Sequence, residues 1–360
     1  MNTAKIGNYN KLIAFFMIIV ALLSVLVVSA NGWQDNDDPF WNNDNNAANN
    51  KDNGADELPE EIQTTTPEPE AQKFYHHITG KEVTEENYGI SQVAYIIDGN
   101  SPLCGIYSCN VLIEFPIENG KTRYFMLTDI NAPLEKIGSI TYSRNFISNL
   151  ASSFGATIVS LGNDDDVDYS HIDTSEYTVH LNENPDTYYT EYTYFAYTST
   201  QLITKTILSS ARVQSTLPYT FKDNSTPAGT IDAKTLNIPY ETSTTLVYSQ
   251  DQSKYCLCKM GSDKIDVSTS GHVMFTNALV LYADSMTYET AEKTQTVIGT
   301  LGSGSGYYAY AGMAEKITWI MDAEGNLSLF NQNGEKLHIG RGNTYIAYVK
   351  SSKSSISIFQ

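Results

Sequence analysis

Cys104 and Cys109 frame the segment CGIYSC, a spacing open to a reactive thiol pair, a small disulfide loop or two inert thiols. Outside the cell the loop or the inert thiols is the expected reading. Cys256 and Cys258 alternate on one strand and face one side, a poor geometry for a mutual disulfide and a soft-metal edge at most. No histidine stands at ligand spacing beside them, so no metal is expected there. His76-His77 is similarly bare. Asp98, closing a strand, forms with Arg123 and Arg144 a candidate carboxylate–guanidinium cluster, of a kind that binds anions or holds a domain together. Asp164-Asp165-Asp166 and Asp168 offer the carboxylates a calcium ion wants. They lack the glycine and distal glutamate of an EF-hand and read as a solvated loop. Gly302-Ser303-Gly304-Ser305-Gly306 has neither the Lys-Ser/Thr ending nor the following helix of a phosphate loop, and reads as a strained strand entry or bulge. No catalytic signature and no cofactor motif emerges from these residues.

The elements that must position them come from periodicity. Ser91–Asp98 reads as a buried strand, and 110–116 with 121–129 as a hairpin around Glu118-Asn119-Gly120. Phe146, Ile147, Leu150, Ala151 and Phe154 fall at helical spacing over 143–154, followed by a strand over 156–161. A second helix is expected over 199–213, with Leu202, Ile203 and Ile207 on one side. Beyond it Pro218, Pro227 and Gly229 mark a linker over 217–235. From Asn237 onward nearly everything reads as β. Strands are expected over 244–250, 254–260 and 273–282, and Ile317, Trp319 and Met321 alternate with Lys316, Thr318 and Ile320. A turn at Asn331–Gly334 returns a strand over 335–339, and the polar end 351–360 is expected to fray. The fold class that follows is α+β: a mixed α/β domain over 73–216, the linker, then a β-rich domain over 236–350.

Ahead of these domains, Lys5 and Lys11 precede an apolar run over Leu12–Val28 that ends in Val28-Ser29-Ala30. Residues 1–30 are therefore a signal peptide or a retained membrane anchor. Either leaves the folded part outside the cytoplasm, anchored or secreted. Residues 31–72 carry eleven acidic side chains against Lys51 alone, so this Asn- and Pro-rich tether holds more than half of the net charge of −19. With no Lys/Arg cluster, nucleic acid is not an expected partner. The run TYYTEYTYFAYTST presents Tyr188–Tyr197 as an aromatic edge, a surface that also suits sugar rings.

In order, IIDGNSPLCGIYSCNVLIEFPIENGKTRYFMLTD, IGSITYSRNFISNLASSFGATIVSLG, YTSTQLI, TSGHVMFTNALVLY, GSGSGYYAYAGMAEKITW and GNTYIAYV resemble the YerB-like family of bacterial exported proteins. The resemblance covers most of 73–350 and implies an export signal and two domains of unknown function. It assigns weight to Asp98, Arg123 and Arg144, to Tyr197-Thr198-Ser199, and to Asp266, Gly271 and Asn277. It also brings departures. Ser160-Leu161-Gly162-Asn163 stands where relatives carry His-Ala-Gly-Gly, Thr193-Tyr194-Phe195-Ala196 replaces Arg-Ala-Pro-His-Asn, and Lys264-Ile265 replaces Pro-His. A family site built on those histidines is lost or altered here.

Two functions remain in view. One is a membrane-tethered binding or assembly module acting on a cell-wall glycan or an envelope protein, with Asp98, Arg123, Arg144, Tyr197, Thr198, Ser199, Asp266 and Asn277 as candidate binding residues. The other is an envelope hydrolase or transferase with Asp98 or Asp266 as general acid/base.

Overall fold

A computed structural model describes residues 72–163, 175–208, 217–227, 229, 231–289 and 294–360. The segment read as a signal peptide or membrane anchor, nearly all of the segment read as a tether, Asp164–Asp168 and the end of the second expected helix lie outside the described residues. Among those described, no helix is long and apolar enough to cross a membrane.

The described chain is mostly β-strand with few helices, and its C-terminal region is β-rich. The strands that organise it are Gln92–Asp98 (β1), Val111–Pro116 (β2), Thr122–Asp129 (β3), Lys254–Lys259 (β4), Asn277–Ala283 (β5), Gly302–Tyr310 (β6), Met313–Met321 (β7) and Thr344–Lys350 (β8). Along the main sheet the order is β7, β6, β5, β8, β2, β3, β1, followed by Ile137–Ile140 and Phe195–Thr198. The centre of this sheet joins the two halves of the sequence. β8 runs parallel to β5 on one side and to β2 on the other, setting Ile346 beside Leu279 and Ile113.

A sheet covered on both faces needs apolar residues at every position, and the central strands have them. Val93, Tyr95 and Ile97 of β1 face one core together with Leu246, Tyr255 and Leu257 of the smaller sheet. Ala94 and Ile96 face the other, with Phe146, Leu150 and Phe154 from the helices Asn145–Ser148 and Leu150–Phe154. Gly155 ends the second of these at φ 57°. The β2–β3 hairpin turns through Asn119 and Gly120, both at positive φ, as an Asn-Gly turn requires. β7 alternates as expected, with Ile317, Trp319 and Met321 buried. Gly304 in β6 is there for close approach. A side chain at that position would meet the Trp319 indole, whose Nε1 donates to the Tyr282 carbonyl at 3.0 Å.

Three segments differ from expectation. The strand returning after Gly334 pairs with its neighbour only near Lys336. His338–Gly340 then lies parallel to Thr220–Lys222, within the segment expected as a linker. That segment also contributes Ile231–Asp232 to the edge of the main sheet, beside β7. The C-terminal end is not frayed: Ile358 is buried, and the Asn237 N–H donates to its carbonyl at 2.7 Å. Burial of that one apolar residue, with strand-like pairing to 235–237, outweighs the polar composition of the tail.

Candidate functional site

At one end of the main sheet Gln92 opens β1, Asp129 closes β3, and Asn110 directly precedes β2. The antiparallel register sets Gln92 opposite Asp129. His76 reaches the same point from a tight turn in which its N–H donates to the Lys81 carbonyl at 2.8 Å and Gly80 adopts φ 63°. Three donors converge on Asp129 Oδ1: Gln92 Nε2 at 2.6 Å, Asn110 Nδ2 at 2.8 Å and His76 Nε2 at 2.8 Å. Oδ2 takes none of them. The Thr79 N–H donates to His76 Nδ1 at 3.2 Å, so the ring proton sits on Nε2, where it faces the carboxylate. Burial opposes ionisation of Asp129, but the bonds from His76, Gln92 and Asn110 outweigh it and hold the carboxyl below the usual range.

This cluster forms part of the wall of a cleft of about 440 Å³, which Lys81, Lys254, Tyr107, Gln252, His272 and Asn343 also line. Burial lowers the Lys81 ammonium pKa, and the nearby charge of Lys254 lowers it further. The cleft therefore carries two lysines, the fixed carboxylate of Asp129 and the exposed carboxylate of Glu82 at its rim. Tyr107 is 57% exposed and offers an aromatic edge beside them. His77, stacked on His76 at 5.4 Å, is lowered by burial and then by its neighbour. Cys109 also lines the cleft, but it is buried and its thiol is pushed well up by desolvation, which makes it a poor nucleophile. Cys104 is likewise a buried free thiol.

The residues singled out from the sequence fall into several places. Asp266 is fully buried. It accepts the Tyr107 N–H at 2.9 Å on Oδ2 and the Ser268 N–H at 2.9 Å on Oδ1, and so pins the Tyr107 loop to the hairpin Ile265–His272. A side chain at Gly271 would press on the Tyr107 ring. Asn277, also fully buried, donates to the Gly340 carbonyl at 2.8 Å and accepts from Gly340 N–H and Tyr308 Oη, both at 3.0 Å. It thereby fixes the turn that delivers Asn343 to the cleft.

The others lie away from it. Asp98 sits at the far end of β1 and caps a turn, accepting from Asn100 N–H at 2.9 Å and Ser101 Oγ at 2.7 Å. Arg123 is its register partner and donates to the Tyr142 carbonyl at 2.7 Å, while Arg144 reaches Glu118 at 2.7 Å rather than joining them. Tyr197 is buried beneath Lys136, 4.1 Å from its ring centre, and Thr198 donates to the Thr187 carbonyl at 2.6 Å. Ser199 accepts the Leu202 N–H at the start of the helix Thr200–Leu208. Within the tyrosine run, Tyr189, Tyr192 and Tyr194 are exposed, the last two at a hairpin tip. Sequence reasoning missed Asp129, Gln92, Asn110, Lys81 and Lys254. An acid closing the second hairpin strand opposite an amide in register was the signal present.

Residues 235–346 match the family model described as the C-terminal domain of a protein of unknown function, DUF3048. In fold the chain is YerB-like. Among solved structures, the YerB protein from Bacillus subtilis matches with a TM-score of 0.65 at 16% identity, over 77% of this chain and 97% of that one. At that identity the likeness speaks for the fold alone. No curated protein matches the chain.

Proposed function

We propose that this YerB-like chain is a binding module for an acidic, hydroxyl-rich ligand, an anionic glycan of the cell envelope. The observation that carries this reading is the pairing, in one cleft, of the ionised Asp129 with Lys81 and Lys254 beside an exposed Tyr107. Asp129 Oδ2 is the acceptor for a sugar hydroxyl, the ammonium groups meet the ligand's negative charge, and the ring of Tyr107 supplies an apolar face for a pyranose. The pattern of hydrogen bonds favours binding over turnover. Both nitrogens of His76 are engaged within the protein, so it is not placed to take a proton from a ligand. Asp98 and Asp266, the carboxylates a hydrolase would use, spend their oxygens on turn and loop N–H and O–H groups.

On this reading the apolar run over residues 12–28 exports the chain and holds it at the membrane, and the acidic tether lets the cleft reach the envelope outside. Residues 73–216 form the mixed α/β part, which supplies Asp129 and Lys81, and the β-rich part supplies Lys254 and Asn343. The test is cosedimentation of the 360-residue chain with purified cell wall, before and after the wall carboxylates are amidated. Retention that falls on amidation supports the proposal. Retention that is indifferent to amidation, or recovery of an envelope protein in place of wall, would count against it.

A further inference from the structure

Cys256 and Cys258 sit two apart on β4 and so project to one side of the small sheet. The strand ends in a two-residue turn, Met260-Gly261, with φ 53° and 75°, the paired positive values of a tight hairpin. That turn sets Asp263 directly opposite Cys258, and Cys258 Sγ lies 3.3 Å from Asp263 Oδ1. The next hairpin, Ile265–Asp266 with Gly271–His272, folds back and delivers His272, whose Nδ1 lies 3.0 Å from Asp263 Oδ2. One ligand atom each from Cys256, Asp263 and His272 all fall within 4.8 Å of one another. The histidine that sequence spacing did not offer is thus supplied by strand pairing.

We propose that Cys256, Asp263 and His272 bind a zinc ion, with Cys258 as the fourth ligand. The donor set of two thiolates, one imidazole and one carboxylate is of the soft-to-borderline kind that selects Zn²⁺ over Mg²⁺ or Ca²⁺. A tetrahedral zinc site has ligand-to-ligand edges of about 3.3–3.8 Å, so Cys256, Asp263 and His272, already within 4.8 Å of one another, close on the ion by side-chain adjustment, and Cys258, held 3.3 Å from Asp263 but outside that trio, must turn toward it. Asp263 and His272 are half exposed, which leaves the metal a way in. Without metal, Cys258 donates its S–H proton to Asp263. On binding, Cys256 and Cys258 each give up a proton to solvent and become thiolates, while His272 gives up its Nδ1–H contact with Asp263, its single proton moving to Nε2 so that Nδ1 can ligate. The balance is one Zn²⁺ taken up and two protons released. His272 also lines the cleft, so the ion would sit in its wall.

The experiment titrates the reduced 360-residue chain with Co²⁺ as the optical probe and then with Zn²⁺ by calorimetry in buffers of different ionisation enthalpy. The expected result is a thiolate-to-cobalt charge-transfer band that saturates at one equivalent and is displaced by Zn²⁺, with two protons released per ion. Cys256 and Cys258, mapped by mass spectrometry, should become resistant to alkylation when zinc is bound. His272→Ala removes a half-exposed ring and should fold, yet weaken cobalt binding by more than the about tenfold that loss of a ligand's outer partner costs. Cys256→Ser should leave a single thiolate and weaken the band, and Cys256→Ser/Cys258→Ser should abolish it. No charge-transfer band at one equivalent, a band unchanged in His272→Ala, or zinc protection mapping to Cys104 and Cys109 instead would each overturn the proposal.

Discussion

Lys259 places its ammonium 2.9 Å from Glu114 Oε1 in the interior of the molecule, with both side chains almost completely buried. The same Nζ donates to the Gly99 carbonyl at 3.2 Å and to Thr122 Oγ1, and Tyr345 Oη donates to Glu114 Oε2 at 2.6 Å. Burial, and next the Glu114 charge, keep the Tyr345 phenol well above its usual range, so it remains the donor. This network ties β4 of the small sheet to β2, β3 and β8 of the large one. Breaking a buried pair from one side leaves a charge unpaired in a low dielectric, so Lys259→Met should cost about 3–5 kcal/mol in denaturant unfolding. Glu114→Leu combined with Lys259→Met should recover part of that loss. A single-variant cost below about 1 kcal/mol would show the pair to be solvated.

Asp129→Asn should reveal a pH signature. Because the folded carboxyl lies below its unfolded value, its contribution to stability is fully present above the unfolded range, near pH 4, and is lost as pH falls through the folded value. At pH 7 the variant should be less stable than the parent by about 1.5–3 kcal/mol, the scale of hydrogen bonds to a charged group. The two unfolding curves should converge as the pH is lowered past the carboxylate range. A gap that stays constant with pH would mean that Asp129 is not held ionised by its three donors.

Asn277→Ala removes an amide that serves Gly340 on both backbone groups and Tyr308 on its hydroxyl. Stranding those buried partners should cost about 3 kcal/mol or more, against about 1 kcal/mol for Tyr308→Phe. The same change should loosen the turn that carries Asn343, so ligand binding in the cleft should weaken even at temperatures where the variant remains folded. Thermal unfolding, paired with a binding isotherm at low temperature, separates the two effects.

Ile358→Ala tests the docked tail. Truncating this buried side chain should cost about 2–5 kcal/mol, whereas exposed neighbours such as Ser354 should tolerate substitution. No loss in chemical denaturation would restore the frayed end that composition suggests.

What could be read from the sequence was local. Strict alternation exposed β7, and Asn119-Gly120 exposed the β2–β3 hairpin, because both signals lie within a few residues of each other. The docking of Ile358 and the parallel pairing of His338–Gly340 with Thr220–Lys222 depend on partners more than a hundred residues away and leave no local trace. The cleft was hidden for the same reason. Asp129, Gln92, Asn110 and His76 are unremarkable apart, and only strand register and a tight turn bring them together. Asp266 and Asn277 were visible through family resemblance, and they turn out to hold Tyr107 and the Asn343 turn in position rather than to line the cleft themselves.

The cleft as an anionic-glycan site is tested most directly by isothermal titration of the 360-residue chain with soluble acidic oligosaccharides and their neutral, amidated counterparts. The proposal predicts that the acidic form binds more tightly and that this preference disappears in Lys81→Gln/Lys254→Gln. It also predicts that Asp129→Asn weakens both forms by about tenfold, one lost charge-assisted hydrogen bond. Equal affinity for the two forms, or a preference that survives removal of both lysines, would contradict it.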